Sequence, residues 1–423
     1  MRKSLTRTRN RPIAALDVGC SKVCCFIARF DGNGLPHVIG IGQQASRGIK
    51  GGAVVDMAAV EMTILNAVHA AEQMAGHTVD RAIVSLSGGH PASTSVGIEV
   101  AINGHEIGDA DLRRAFAYGQ DAQGESAWAG NGRQLIHSIP TGYNIDGHRG
   151  IRDPRGMYGD QLGVDIHIVT AASSAVRNLT TCVQRCHLDV AGFVVAPYAA
   201  GLSALVEDEK DLGVTVIDMG GGTTTIAVFY EGNVIYTDVV PVGGMHVTSD
   251  IARGLSTPLA HAERMKTLFG HAMPVSADER EMIDVPQVGE DEPSQTRQVP
   301  RSLLVGIVQP RLEETFELVR SHLEASGFAK IAGRRVVLTG GASQLAGLPD
   351  LAALILDKQV RIGRPVHIRG LAEATAGPAY ATGAGLLVYA SLAEAAQPMR
   401  AQPQDGESGG LAGRFGQWFR EHF

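Results

Sequence analysis

Residues 214–240 read VTVIDMGGGTTTIAVFYEGNVIYTDVV, and this stretch decides the fold. An apolar strand ends in Asp218-Met219-Gly220, a second apolar strand follows, and Glu231-Gly232-Asn233 turns the chain into a third. Short β-rich runs joined by a Gly-Asn turn are the local signature of a hairpin. About 200 residues earlier the design occurs once before, as IAALDVGCSK (13–22), VCCFIARF, the turn Asp31–Gly34 and HVIGIG. Self-similarity of this kind implies two related lobes, each with a strand–turn–strand loop that opens on Asp-x-Gly.

Helical spacing of apolar residues marks Val54–Ala75, Ala171–Cys186 and Pro310–Leu323. Strands followed by helices make α/β lobes. The stretch from Leu86 to Ile168 differs, with Gly, Asn and Asp throughout, and reads as a loop-rich inserted subdomain. Residues 276–302, with ADEREMIDVPQVGEDEPSQ, are acidic and Pro-containing and read as a mobile surface loop.

Composition narrows the function. The chain has 423 residues, enough for two domains or one two-lobed body, and 44% of them are hydrophobic. A net charge of −7 excludes general nucleic-acid binding, which needs a basic face. The five cysteines, Cys20, Cys24, Cys25, Cys182 and Cys186, are odd in number and fit no secreted framework. They indicate a reducing cytoplasm and core positions rather than a metal site. Residues 1–11 carry five basic side chains, but only Ile13–Leu16 follow as an apolar run, too short for a signal peptide. No segment approaches the ~20 apolar residues of a membrane span.

The repeated loops suit a nucleoside triphosphate. Glycines let backbone N–H groups approach phosphate without an intervening Cβ. Asp17, Gly19, Cys20, Ser21 and Lys22 supply one loop, with Lys22 as a nearby positive charge. Asp218, Gly220, Gly221, Gly222, Thr223 and Thr224 supply the other. Asp17 and Asp218 stand where strands end, so both can face one Mg²⁺ through water, as that ion's reluctant dehydration favours. A third glycine turn, Gly340-Gly341-Ala342-Ser343, follows the apolar run Val336–Leu338. One Asp-x-Gly turn is weak evidence, and two in matched contexts with a third beside them are strong. The chain has no Walker A sequence. Gly40-x-Gly42 imitates a dinucleotide fingerprint, but no helix opens behind it.

The three loops resemble, in order, the two phosphate loops and the adenosine loop of the actin, sugar-kinase and heat-shock-chaperone superfamily. Within it the chain is similar to the FtsA family of bacterial cell-division proteins, from Ile13 to the last residue. The segments that carry this likeness are SRGIKGGAVVDM, RAIVSLSGGHPAST, GFVVAPYAAGLSAL, VIDMGGGTTTIAVF, PVGGMHVTSDIARGL, AERMK, VVLTGGASQLAGL and the terminal RFGQWF. The resemblance implies an actin-like, ribonuclease-H-like two-lobed α/β fold that binds ATP and Mg²⁺. It places Glu263 and Lys266 of AERMK against ribose and adenine. It also implies self-association, contacts with other division proteins and tethering of the FtsZ C-terminal tail. The organisation expected is a basic tail (1–11), a first lobe (12–85, 169–212 and 366–392), an inserted α+β subdomain (86–168), a second lobe (213–365), a linker (393–410) and a terminal helix (411–423).

One departure bears on turnover. Where actin-fold ATPases often carry a polar group before the proline of the segment matching Ala196-Pro197-Tyr198, this chain has Ala196. Alanine cannot orient an attacking water. Asp218 remains to position water, through Mg²⁺, so slow hydrolysis or none is expected. The alternatives in the same superfamily are a small-molecule kinase and a chaperone-like ATPase. The first would need an aspartate base facing a substrate pocket, the second a peptide-binding module after the lobes.

The last residues form an amphipathic pattern. At about 100° per residue, Leu411, Phe415, Trp418, Phe419 and Phe423 fall within roughly 140° of arc. Arg414, Gln417, Arg420 and Glu421 take the other side. Such a helix is too short to span a bilayer and suits its anionic surface. Peripheral attachment at the cytoplasmic face of the inner membrane, at the division site, is the expectation.

Overall fold

Asp17 and Asp218 each end the central strand of a five-stranded sheet, and the two sheets have one topology. The computed structural model describes residues 12–31, 34–122, 130–288 and 296–395. The basic tail, two residues of the Asp31–Gly34 turn, part of the acidic loop, the linker from residue 396 and the terminal amphipathic segment lie outside them.

In the first lobe, β1 (Ile13–Val18), β2 (Lys22–Phe30) and β3 (Pro36–Ala45) form an antiparallel meander. A two-residue pair, β4 (Ile49–Lys50) and β5 (Ala53–Val54), leads into a helix, Met57–Ala75. β6 (Arg81–Leu86) then lies parallel to β1. The helix starts later than the apolar spacing alone suggested, because the Asp56 side chain caps it by accepting from Ala59 N–H at 3.1 Å. It packs on β3 at very short range. A Cβ on Gly42 would stand 1.8 Å from the Ala67 carbonyl oxygen, and one on Gly40 2.3 Å from that of Ala71. The Gly-x-Gly pair therefore serves helix–sheet packing.

The insertion holds more regular structure than its Gly, Asn and Asp content suggested. β7 (Ala92–Ala101), a helix (Asp109–Ala122), β8 (Arg133–Ile145), β9 (His148–Ile151) and β10 (Gln161–Ala172) make a separate layer with the order β7-β10-β8-β9. Its own core includes Ile102, Leu162 and Ile166. The helix Ser173–Arg185 and β11 (Asp189–Val195) return the chain to the first sheet, which reads β11-β6-β1-β2-β3.

After the helices Ala196–Ala204 and Glu207–Leu212, the second lobe repeats the first. β12 (Val214–Met219), β13 (Thr224–Tyr230) and β14 (Asn233–Val240) form the meander. The helices Gly244–Leu255 and Leu259–Phe269 follow. Next come β15 (Met282–Pro286) and β16 (Thr296–Pro300), which pair as a hairpin. The 276–302 loop reading is thereby corrected: Ile283, Val285 and Val299 alternate and bury into the lobe's core despite the acidic neighbours.

The long helix Arg301–Ala325 begins nine residues before Pro310, because Leu304, Val305 and Val308 extend its buried face. Pro310 frees the carbonyl of Gly306, which is exposed and can be solvated. β17 (Arg335–Thr339) lies parallel to β12, and after the helix Leu348–Leu356, β18 (Gln359–Ile362) completes the order β14-β13-β12-β17-β18. The last helix, Ala381–Ala395, takes in the first residues of the expected linker. Leu386, Leu387 and Tyr389 pack it against the back of the first sheet, with Phe26 and Val194. All five cysteines are free and buried. Among the described residues no helix is long and apolar enough to cross a membrane.

Candidate functional site

The duplicated loops are closed by the same bond. Gly19 N–H donates to the Lys22 carbonyl at 3.0 Å, and Gly220 N–H donates to that of Thr223 at 2.9 Å. Their tips meet across the two lobes. A Cβ on Gly222 would lie 2.5 Å from Cys20 Sγ, and one on Gly221 3.0 Å from Ser21 Cβ. Cys20 Sγ also accepts the Gly52 N–H at 3.1 Å, so its thiol packs between loops rather than facing outward.

Asp17 and Asp218 are each half-buried where the loops converge. Ser85 Oγ donates to Asp17 Oδ1 at 2.8 Å and accepts from Val18 N–H at 3.0 Å. Thr382 Oγ1 donates to Asp218 Oδ2, also at 2.8 Å. Burial raises the Asp17 carboxyl above its ordinary range, with the Ser85 bond and the Lys22 charge opposing. Burial pushes Asp218 up to about 6, against the Thr382 bond and with the Asp17 charge adding to the rise. Burial also lowers the Lys22 ammonium, against the pull of both aspartates.

The third loop sits directly on Asp218. β17 places Thr339 beside it, and Gly340 follows with φ of +86°, where a Cβ would meet Asp218 Oδ1 at 2.3 Å. Only glycine permits that approach. Ser343 is buried and closes its own turn on the Gly340 carbonyl. Thr224 is buried and bonded to the Val242 carbonyl. These two hydroxyls shape loops and do not face the cleft.

Beside the loops is a small cleft of the second lobe lined by Met219, Gly243, Gly244, Val247, Lys266, Leu312, Thr315, Ala342 and Leu345. It is apolar apart from Lys266 and Thr315, as a pocket for a flat heterocycle would be. The Lys266 ammonium donates to the Gly244 carbonyl at 3.1 Å, Thr248 Oγ1 at 2.9 Å and Glu263 Oε2 at 2.7 Å. Gly244 N–H in turn donates to the Gly220 carbonyl at 3.0 Å. Lys266 thus braces the second loop through Gly244, and Glu263 stands behind it.

The structure packs the tips of Asp17–Lys22 and Asp218–Thr223 against each other, sets Gly340 on Asp218, and places Met219, Ala342 and Lys266 in the lining of the adjoining cleft. Ser85, Thr382 and Tyr380 join the loops through Asp17, Asp218 and Lys22, and Gly243–Gly244 line the cleft, with no motif of their own to mark them. Ser85 could have been found by extending the repeat: it stands on β6 beside Asp17 as Thr339 stands on β17 beside Asp218. Two carboxylates, each with one oxygen left by its hydroxyl partner, fit a hard cation held through water. Among the described residues no cluster of three metal-ligating side chains occurs.

Solved structures share this architecture. The PilM–PilN type IV pilus biogenesis complex matches at a TM-score of 0.62 and 18% identity, over 90% of this chain and 98% of that one. MreB5 of Spiroplasma citri, bound to ADP, matches at 0.52 and 14%, over 90% and 96%. Two lobes of one topology whose Asp-x-Gly loops meet define a protein of the actin-like ATPase fold. Residues 215–385 match the family described as cell division protein FtsA, and residues 88–170 match the SHS2 domain inserted in FtsA. Cell division protein FtsA of Agrobacterium fabrum (strain C58) is 48% identical over 436 residues, 100% of this chain and 97% of the relative. That of Escherichia coli (strain K12) is 33% identical over 390 residues, 90% and 91%. The chain belongs to the FtsA family of cell division proteins.

Proposed function

We propose that this cell division protein binds ATP with Mg²⁺ where the loops of its two lobes meet and couples the bound state to assembly at the membrane. The convergence of Asp17 and Asp218 from duplicated loops, beside an apolar cleft, carries the reading. The adenine ring occupies the cleft by Met219, Val247, Ala342 and Leu345, and the phosphates lie along Gly19–Lys22 and Gly220–Thr223. Asp17 and Asp218 would hold Mg²⁺ through water, and the ion supplies neutralisation of phosphate charge. Ser85 and Thr382 orient the two carboxylates. Ala196, buried at the head of its helix, offers no base to an attacking water. Turnover is therefore slow and nucleotide sets a state.

Titration of the purified protein with ATP, with and without Mg²⁺, tests this reading. Tight Mg²⁺-dependent binding that Asp218→Asn abolishes is expected, and turnover near the ~10 s⁻¹ enzyme median would contradict slow hydrolysis.

The family supports the wider role. We assign to this chain the tethering of FtsZ by its C-terminal tail, self-association, and recruitment of later division proteins. Leu411, Phe415, Trp418, Phe419 and Phe423 provide a peripheral anchor at the cytoplasmic face of the inner membrane. One such anchor binds weakly, and a polymer multiplies it. Co-sedimentation with anionic liposomes and FtsZ is the measurement, and undiminished pelleting without residues 411–423 would sink the anchor.

A further inference from the structure

Residues 378–382 touch all three loops in succession. The Pro378 carbonyl accepts from Gly340 N–H and from Thr339 Oγ1, both at 3.1 Å. The Lys22 ammonium stands over the Tyr380 ring, 3.3 Å from its centroid. Thr382 holds Asp218. Tyr380 is itself fixed, since its hydroxyl donates to Gln43 Oε1 at 2.6 Å and its ring meets Phe26 edge-on at 6.3 Å.

A lysine beside two carboxylates ordinarily collapses onto one of them. That ion pair would neutralise the cation that a phosphate needs and occupy the oxygens that a metal hydrate needs. Among the described residues Lys22 Nζ makes no ion pair and no hydrogen bond; its partner is the aromatic face. The negative face of a phenol ring attracts an ammonium without consuming a carboxylate. The ammonium's remaining N–H groups stay available to an oxyanion, which cuts the reorganisation that binding would otherwise require.

We propose that Tyr380 is a positioning residue, its ring holding the Lys22 ammonium off Asp17 and Asp218 and presenting it to the polyphosphate of the ligand. The inference rests on the nucleotide reading above. Because the ring belongs to the segment that also touches Gly340 and Asp218, Tyr380 makes the first loop's cation depend on the other two loops.

Calorimetric titration of the full-length protein with Mg·ATP and Mg·ADP tests it. Tyr380→Phe keeps the ring and is expected to hold ATP affinity within about twofold, while Tyr380→Leu loses about tenfold, and less for ADP. A series of mono-, di- and trifluorinated phenylalanines at position 380 preserves shape while draining the ring's negative face. ATP affinity should fall with each fluorine. A flat fluorine series, wild-type affinity in Tyr380→Leu, or equal losses in the Phe and Leu variants overturns the assignment. If the unaltered protein binds neither nucleotide, the nucleotide reading falls and this inference with it; a flat series on a protein that binds ATP removes this inference alone.

Discussion

Thr382, on the last helix, donates its hydroxyl to Asp218 at 2.8 Å across 164 residues of chain. Ser85 does the same for Asp17, so each central carboxylate is aimed by one hydroxyl from another strand or helix. Those carboxylates are held against their own preference. The raised values of both mean that folding has a cost at neutral pH, which a bound cation would offset.

The ligand-free protein should therefore gain stability when Asp218 loses its charge. Its folded value, about 6, lies above the ordinary 3.8, so its unfavourable contribution is absent below pH 4 and complete above about 6. Asp218→Asn is expected to raise stability at pH 7 by about 2 kcal/mol, discounted for partial solvent access. Thermal melting without ligand checks this, and no gain at pH 7, or an equal gain at pH 4, would contradict it.

Acid should act oppositely through two buried histidines. Burial holds His137 down to about 3, with His167 nearby adding to the fall, and His167 down to about 4. Both are neutral in the fold, so their contribution is present above pH 6.5 and is lost as pH falls toward 4. Each contributes up to about 1.4 kcal/mol per pH unit in that window. Among the described residues both buried ring nitrogens of His167 have no hydrogen-bond partner, so His167→Phe should stabilise the protein, more at pH 5 than at pH 7.5. Denaturant midpoints at the two pH values decide the matter.

Gly42→Ala should be severe. The new Cβ would stand 1.8 Å from the Ala67 carbonyl oxygen, and neither the β3 backbone nor the helix backbone can give way cheaply. A loss of about 3 kcal/mol or more is expected, at the upper end of overpacking costs. Chemical denaturation measures it, and a neutral substitution would contradict the close packing of helix on strand.

Gly222→Ala should weaken ATP binding without unfolding the lobe, because its Cβ meets Cys20 Sγ at 2.5 Å and pushes the two loops apart. Cys20→Gly removes that obstacle. The double variant should recover most of the affinity lost by Gly222→Ala, a coupling that a double-mutant cycle reads directly. Additive losses would show that the tips do not pack on each other.

Much of this was legible in the chain. The hairpins and their Asp-x-Gly ends follow from strand-forming runs and Gly-Asn turns, which act over a few residues. The acidic hairpin is not legible in this way, because Asp, Glu and Pro dominate its composition while only Ile283, Val285 and Val299 carry its period of two. Tyr380 and Thr382 carry no local signal, since nothing around them in the chain indicates the distant Lys22 or Asp218.

Two related lobes, three glycine loops and an aspartate at the end of each matched strand follow from the chain alone, because turn geometry and side-chain periodicity are short-range. Tertiary structure alone decided which hydroxyl aims each carboxylate, which ring carries the ammonium, and that Lys266 braces Gly244. Desolvation and hydrogen-bond geometry depend on what converges in space, and that is fixed only when segments distant in the chain pack together.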